Sequence, residues 1–270
     1  MVTRLVLWDI DGTLLHPGSG IVAAYEQAVA DALEGGRVGG ELPVRGSGRS
    51  ADAALADDAM AMEMTVGGMT DPQVCLLLLR RAGLTPAEAE PLLPAVLRRL
   101  EERVAASSRT MRSEGRVMPG VPELLGRLHK APGVLQSVLT GNTAANAQAK
   151  LSAFGLRPWV DLDVGAFGSD DHDRTALVGI ALGRVRDRRG LTFRRDQVWV
   201  VGDTPRDLAC ARAGGIRCAL VATGHYSLQE LGSLGPDALL PDLGQVESVV
   251  ALLTGPEGDA DPRSVPSRAR

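Results

Sequence analysis

The segment LVLWDIDGTLLH, residues 5–16, joins an apolar run to two acidic residues. Its first four residues predict a strand buried on both faces, and Asp9 and Asp11 follow at the carboxyl end, where Gly12 permits a sharp turn. Residues two apart point to the same side of a strand, so both carboxylates can face one small ligand. Two acids this close repel each other, which is typical of a site that binds a cation or holds a proton. The structural alternative is a pair of acids that cap a turn.

The remaining pattern divides the chain into two parts. A helical pattern begins at Gly20, a glycine-rich loop follows at 35–50, and from about Ala51 to Arg112 the pattern is almost entirely helical, with Asp71 as the predicted N-cap of one helix. From Pro119 onward apolar strands alternate with helices, and the predicted strands span 134–142, 159–168, 197–203, 216–224 and 237–241. This alternation predicts an α/β fold with a doubly wound parallel sheet and an inserted helical cap. We expect residues 1–15 and 114–254 to form the core, 16–113 the cap, and 255–270 a disordered tail.

Composition narrows the class of protein. The chain has 270 residues, a net charge of −4 and three cysteines that lack metal-ligand spacing. We therefore do not expect a nucleic-acid partner, and we expect the cysteines to be reduced, buried thiols. The longest apolar runs are too short to span a bilayer and no signal peptide precedes the first strand, so we expect a cytoplasmic protein that does not bind membranes. The pattern leaves the oligomeric state open.

Two further polar clusters fall at predicted strand ends. Thr140, Gly141 and Asn142 end one strand and begin a helix, where a hydroxyl and free N–H groups can bind an anion. Asp203 ends a later strand, and Asp207 lies in the first turn of the helix that follows. Ligands of open α/β sheets bind beyond the carboxyl ends of the strands, so these clusters should meet Asp9 and Asp11. Together they predict an oxygen-rich site suited to Mg²⁺, with Asp207 either near the metal or favourable only to the helix dipole.

In this order the motifs resemble those of the haloacid dehalogenase superfamily. DIDGT at 9–13 is similar to its first motif, Thr140 to its second, and GDTPRD at 202–207 to its fourth. The helical insertion resembles the cap of the phosphoglycolate phosphatase and β-phosphoglucomutase branch. The resemblance implies that Asp9 attacks phosphorus to form an aspartyl-phosphate and that Asp11 exchanges protons.

The resemblance also implies the remaining site residues. Mg²⁺ would be held by Asp9, the backbone carbonyl of Asp11 and Asp203. Thr140, with N–H groups contributed by Gly12, Gly141 and Asn142, would bind the phosphoryl oxygens. Arg45 and Arg49, in RGSGRSAD at 45–52, are the candidates for substrate recognition from the cap.

One position departs from the family pattern. The third motif is usually a lysine, and none lies in the expected stretch. Lys150 is mid-helix and close to the second motif, so it is not expected to take that role. Arg174 lies 29 residues before Asp203, where the motif should fall, and could hold phosphate and Asp9 as a fixed cation. The alternative is an exposed arginine paired with a nearby aspartate, Asp170, Asp171 or Asp173.

The function that follows is a Mg²⁺-dependent phosphatase acting on a small phosphate monoester, either phosphoglycolate-like or a sugar phosphate. No lysine lies between residues 16 and 113, which argues against phosphonate cleavage through a Schiff base. Asp11 and Asp203 argue against carbon–halogen cleavage. Two alternatives stay open: a β-phosphoglucomutase-like phosphomutase and a catalytically idle protein that only binds a ligand.

Overall fold

The computed structural model describes residues 2–35 and 66–255. Six parallel strands form one sheet in the order β5-β4-β1-β6-β7-β8, and β2 pairs antiparallel with β3 in a second, two-stranded sheet. The strands are β1 (Arg4–Trp8), β2 (Leu15–His16), β3 (Arg116–Val117), β4 (Val134–Thr140), β5 (Ala166–Phe167), β6 (Val198–Gly202), β7 (Arg217–Val221) and β8 (Ala238–Leu240). The predicted α/β class and parallel sheet are confirmed.

Helices cover both faces of the large sheet because β1 is apolar on both. Val6 and Trp8 pack into the apolar cluster on one face, and Leu5 and Leu7 into the cluster on the other; all four are fully buried. Each fully buried side chain of this size contributes about 1.5–3 kcal/mol. The first face is covered by α6 (Val121–Lys130), α7 (Ala144–Ala153) and α11 (Val246–Thr254), and the second by α8 (Leu177–Arg189) and α9 (Pro205–Gly214). A short helix, α10 (Leu228–Ser233), precedes β8.

A separate group of helices follows β2. They are α1 (Gly20–Gly35), α2 (Asp71–Arg81), α3 (Pro86–Ala89), α4 (Leu93–Ala106) and α5 (Ser108–Glu114). Their buried residues form a third apolar cluster, which includes Ala28, Leu79 and Leu100 and is joined by Ala153 of α7. The chain enters and leaves this helical group through the paired strands β2 and β3. Within residues 2–35 and 66–255, no helix combines the length and apolar character needed to cross a bilayer.

Two local expectations differ from the structure. Thr70, not Asp71, is the N-cap of α2: its hydroxyl accepts from the Gln73 N–H at 3.4 Å, and the Gln73 side chain accepts from the Thr70 N–H at 3.1 Å. This reciprocal capping leaves the Asp71 carboxylate free for other partners. In the strand predicted over 159–168, one 3₁₀ turn ends at Trp159, a second spans Leu162–Val164, and only Ala166–Phe167 pairs with β4.

The strand order brings the predicted site together. β1 is hydrogen-bonded to β4 on one side and to β6 on the other, with Trp8 level with Val138 and Val201. The chain builds the sheet outward from β1 in both directions, so the connections diverge at the carboxyl ends of these three strands. This is the position at which doubly wound sheets bind ligands.

Candidate active site

A cavity of about 270 Å³ opens at the carboxyl ends of β1, β4 and β6. Its charged and polar wall includes Asp9, Asp11, Thr140, Asn142, Lys150, Arg174 and Asp203. Residues of α1 and of the segment 66–78 line the opposite side, among them Tyr25, Met69 and Asp71. The cavity thus lies between the sheet and the helical group. Arg45 and Arg49, and residues 256–270 of the predicted tail, lie outside the described residues.

Asp9 is buried and is held by a buried arginine. Its backbone N–H donates to the Val201 carbonyl at 2.9 Å, which continues the parallel ladder one residue beyond β1. The Arg174 guanidinium lies 3.0 Å from the Asp9 carboxylate and also pairs with Asp207. Arg174 is only 5% exposed and therefore is not a surface arginine. Asp170, its proposed alternative partner, pairs instead with Arg184.

The acids of the site are close enough to change each other's protonation. Burial raises the pKa of Asp9 to about 6, with Arg174 opposing the shift and Asp207 and Asp11 adding to it. Burial also raises the pKa of Asp203 well above its ordinary value, and Asp207 and Asp9 add to that shift. Carboxylates that are buried together resist ionisation unless a cation neutralises them. The site therefore favours a positively charged ligand beside Asp9 and Asp203.

Asp203 is held tightly by its surroundings. The Thr13 hydroxyl donates to its Oδ1 at 2.9 Å. A Cβ at Gly12 would lie 2.3 Å from Asp203 Oδ2, and one at Gly224 would lie 1.9 Å from it, so a side chain at either position would displace the Asp203 carboxylate. Gly12 also adopts a φ of +81°, which favours glycine. Its N–H donates to the Leu15 carbonyl at 2.9 Å, and the phosphate contact predicted for Gly12 stays a prediction.

Three buried carboxylates could hold a metal ion. Oxygens of Asp9, Asp203 and Asp207 lie within 4.8 Å of one another. One Asp207 oxygen accepts from both the N–H and the hydroxyl of Thr204, at 3.0 and 2.7 Å, and the other pairs with Arg174. Both oxygens of Asp207 are thus engaged, whereas Asp203 lies in the space left by Gly12 and Gly224. Hard oxygen donors in this number fit a divalent cation such as Mg²⁺.

The second motif forms a compact turn against the helical group. The Thr140 hydroxyl accepts from the Asn142 side-chain amide at 2.9 Å. A Cβ at Gly141 would lie 2.1 Å from the Met69 carbonyl oxygen, and one at Gly168 would lie 2.0 Å from the Gly141 carbonyl oxygen. Three backbone segments therefore stack here without a side chain between them. The predicted trio of Thr140, Gly141 and Asn142 does lie at the cavity.

Lys150 also reaches the cavity, although its position in mid-helix, close to the second motif, predicted no third-motif role for it. Its ammonium donates to Asp11 Oδ2 and to Asn142 Oδ1, both at 2.6 Å, and its side chain is 2% exposed. A signal was available in the sequence: Asn142, Asn146 and Lys150 recur every four residues. That spacing places Asn146 and Lys150 on one line along α7, with Asn142 just before the start of the helix.

Asp71 is a second residue that the sequence analysis missed as part of the site. Its Oδ2 accepts from the Thr143 N–H at 2.8 Å and from the Asn146 side chain at 2.7 Å, and its other oxygen accepts from the Tyr25 hydroxyl. Burial raises the pKa of Asp71, against the lowering effect of Lys150 and of these hydrogen bonds. Asp71 thus ties α1 and α2 to the start of α7. Its assignment as an N-cap concealed this longer-range contact.

Known proteins share this sequence pattern and fold. The family described as haloacid dehalogenase-like hydrolase matches residues 6–212. A probable phosphatase, IndB, from Dickeya dadantii is 28% identical over 245 residues, which cover 90% of this chain and 91% of the relative. A phosphoglycolate phosphatase from Rhodospirillum rubrum is 28% identical over 247 residues, covering 90% and 89%. The crystal structure of a predicted phosphatase from Clostridium acetobutylicum has a TM-score of 0.63 at 16% identity, covering 94% of this chain and 100% of that one.

Proposed function

Because this chain belongs to the haloacid dehalogenase-like hydrolase family, we propose that it is a phosphatase that hydrolyses a small phosphate monoester. The observation that carries the proposal is the buried Asp9 carboxylate, 3.0 Å from Arg174, in a cavity that Asp203 also lines. The relatives named as phosphatases support the same reaction class. A cavity of about 270 Å³ suits a small substrate, such as a phosphoglycolate-like acid or a sugar phosphate.

In the proposed reaction Asp9 is the nucleophile. One of its oxygens attacks phosphorus in line, the ester P–O bond breaks, and an aspartyl-phosphate forms. Asp11 donates a proton to the departing alcohol oxygen. It then accepts a proton from the water that attacks phosphorus in the second step, which releases inorganic phosphate and regenerates Asp9.

The cations of the site hold the nucleophile and the phosphoryl oxygens. Arg174 is positioned to orient Asp9, and Asp207 in turn holds Arg174. Thr140 and the N–H groups of Gly141 and Asn142 are proposed to bind the phosphoryl oxygens. Asp9, the Asp11 backbone carbonyl and Asp203 would hold Mg²⁺, which neutralises charge on nucleophile and phosphate when bound. Asp207 has both oxygens engaged, so we assign it the support of Arg174 instead of metal ligation.

The proposal includes a division of labour along the chain. Residues 1–15 and 114–254 form the catalytic core, and residues 16–113 form a helical cap over the cavity. The pairing of β2 with β3, where the chain passes between the two parts, supports this division. Arg45 and Arg49 stay candidates for substrate recognition from the cap.

Phosphate release from p-nitrophenyl phosphate tests the proposal. We expect turnover that needs Mg²⁺ and that Asp9→Asn reduces to background, because an amide cannot form the aspartyl-phosphate. An absence of turnover by the wild-type protein, over a panel of phosphorylated metabolites as well, would leave the idle binding protein as the better account. Return of the phosphoryl group to a second position of the substrate, in place of release to water, would identify a phosphomutase.

A further inference from the structure

Lys150 is a buried cation that the proposed reaction does not yet use. We infer that Lys150 is a positioning residue for Asp11, whose carboxyl group it fixes for proton transfer to the leaving oxygen. The inference rests on the proposed phosphatase function, since Asp11 has this task only if the site cleaves a phosphate ester.

The contacts form a closed triangle around one carboxylate oxygen. Lys150 Nζ donates to Asp11 Oδ2 at 2.6 Å and to Asn142 Oδ1 at 2.6 Å, and the Asn142 amide donates to the same Asp11 Oδ2 at 2.8 Å. Asp11 Oδ1 has no hydrogen-bond partner among the described residues. Oδ2 is therefore the anchored oxygen, and these contacts fix the orientation of the whole carboxyl group.

The burial of Lys150 indicates why a lysine is suited to this position. Of the 29 lysines and arginines in the chain only two are lysines, Lys130 and Lys150. Lys150 is 2% exposed, and the loss of hydration of a buried ammonium must be offset by its partners. An ammonium is a compact charge with three donors, and it can serve two partners in a narrow space where a planar guanidinium is less well suited.

The helix that carries Lys150 is itself held in place from the opposite side of the cavity. Asp71 accepts hydrogen bonds from the Thr143 N–H and the Asn146 side chain in the first turn of α7. Lys150 lies on the same line of that helix, one turn after Asn146. The ammonium therefore has little freedom to follow a displaced Asp11, as expected of a group that positions another.

Arg174 and Lys150 then have separate tasks. Arg174 contacts the proposed nucleophile Asp9, so loss of Arg174 should lower the rate of hydrolysis of every substrate. Of the two acids of the first motif, Asp9 and Asp11, Lys150 pairs with Asp11. Its loss should therefore matter most where the leaving oxygen has to be protonated.

Two esters of similar shape separate these effects. p-Nitrophenolate leaves without being protonated, whereas the alcohol of benzyl phosphate is a poor leaving group that needs the proton. We expect Lys150→Met to lower kcat/KM for benzyl phosphate by about 10²–10⁴-fold, the usual size of general-acid catalysis. The loss with p-nitrophenyl phosphate should be at least tenfold smaller. Lys130→Met, at the other lysine, is the matched control and should leave both substrates unchanged.

A double-mutant cycle tests whether the effect passes through Asp11. In an Asp11→Asn background, Lys150→Met should cause no further increase in the preference for p-nitrophenyl phosphate over benzyl phosphate. Lys150→Gln, which keeps a donor without the charge, gives the same comparison if the methionine variant does not fold. Equal losses on both esters, or an unchanged Lys150 variant, would overturn the inference and leave the proposed function intact. Failure of the wild-type protein to cleave either ester would overturn both.

Discussion

Replacing Arg174 by methionine removes the only cation that contacts Asp9 among the described residues. The wild-type guanidinium is 5% exposed and pairs with two carboxylates, Asp9 at 3.0 Å and Asp207. Its removal leaves both acids buried without their partner. Breaking a buried ion pair in this way costs about 3–5 kcal/mol of unfolding free energy. At about 2–4 °C per kcal/mol for a chain of this size, the melting temperature should fall by roughly 6–20 °C.

The loss in Arg174→Met should also depend on pH. Burial already raises the pKa of Asp9 to about 6, above its ordinary value of 3.8, and Arg174 opposes that shift. The folded protein therefore holds this proton more tightly than the unfolded chain, so the contribution of Asp9 to stability falls as pH rises toward 6 and is constant above. Without Arg174 the pKa rises further, and the decline continues to higher pH. The difference between variant and wild type should widen above pH 6, by up to about 1.4 kcal/mol per pH unit.

Urea unfolding at pH 6, 7 and 8 in the presence of EDTA measures this difference without a bound metal. The matched control is Arg103→Met, because Arg103 pairs with Asp31 on a partly exposed surface, with side-chain exposures of 34% and 32%. That variant should lose less than about 1 kcal/mol, with little pH dependence. A loss in Arg174→Met as small as in the control, or one that is the same at pH 6 and pH 8, would refute the reasoning.

Three further outcomes are expected. Gly224→Ala should weaken Mg²⁺ activation by at least tenfold, because its Cβ would lie 1.9 Å from Asp203 Oδ2. Gly183→Ala, with nothing within 4 Å of its Cβ, is the control. Equal Mg²⁺ dependence of the two variants would contradict the role given to the space beside Asp203. Chelation by EDTA should abolish phosphate release and added Mg²⁺ should restore it, whereas full activity in EDTA would remove the metal from the proposal. Thiol titration with Ellman's reagent at pH 8 should find no reactive cysteine in the native protein and three after unfolding, because burial raises the pKa of every thiol, that of Cys210 to about 12. A thiol that reacts at once in the native state would show that the packing around it is looser than described.

The strand ends could be predicted from the sequence because local chemistry and topology agree there. The apolar residues of β1 have no polar face, so the strand had to be central, and Asp9 follows directly at its carboxyl end. Thr140 and Asp203 stand at the ends of β4 and β6, the two neighbours of β1. The cation of the third motif was predicted from its position alone. Arg174 lies 29 residues before Asp203, and it does contact Asp9.

Lys150 and Asp71 could not be placed in the same way. Each has a common local interpretation, a mid-helix lysine and an N-cap aspartate, and each also contacts a residue more than 70 positions away, Asp11 for Lys150 and Thr143 for Asp71. These contacts depend on how α2, α7 and the end of β1 pack together, which a local sequence pattern does not contain. The true cap, Thr70, differs by one residue from the predicted one, and that shift is what frees Asp71.

The stack of Met69, Gly141 and Gly168 has a consequence for how this protein can diverge. Backbone contacts at this spacing leave no volume for a side chain, and the Asp71 N–H also donates to the Gly141 carbonyl at 2.7 Å. Only glycine therefore fits at positions 141 and 168, whatever the substrate. The surfaces of α1 and α2 that face the cavity carry no such restriction. New substrate preferences can therefore arise by substitution in the helical group, while the backbone contact of Met69 with Gly141 stays the same.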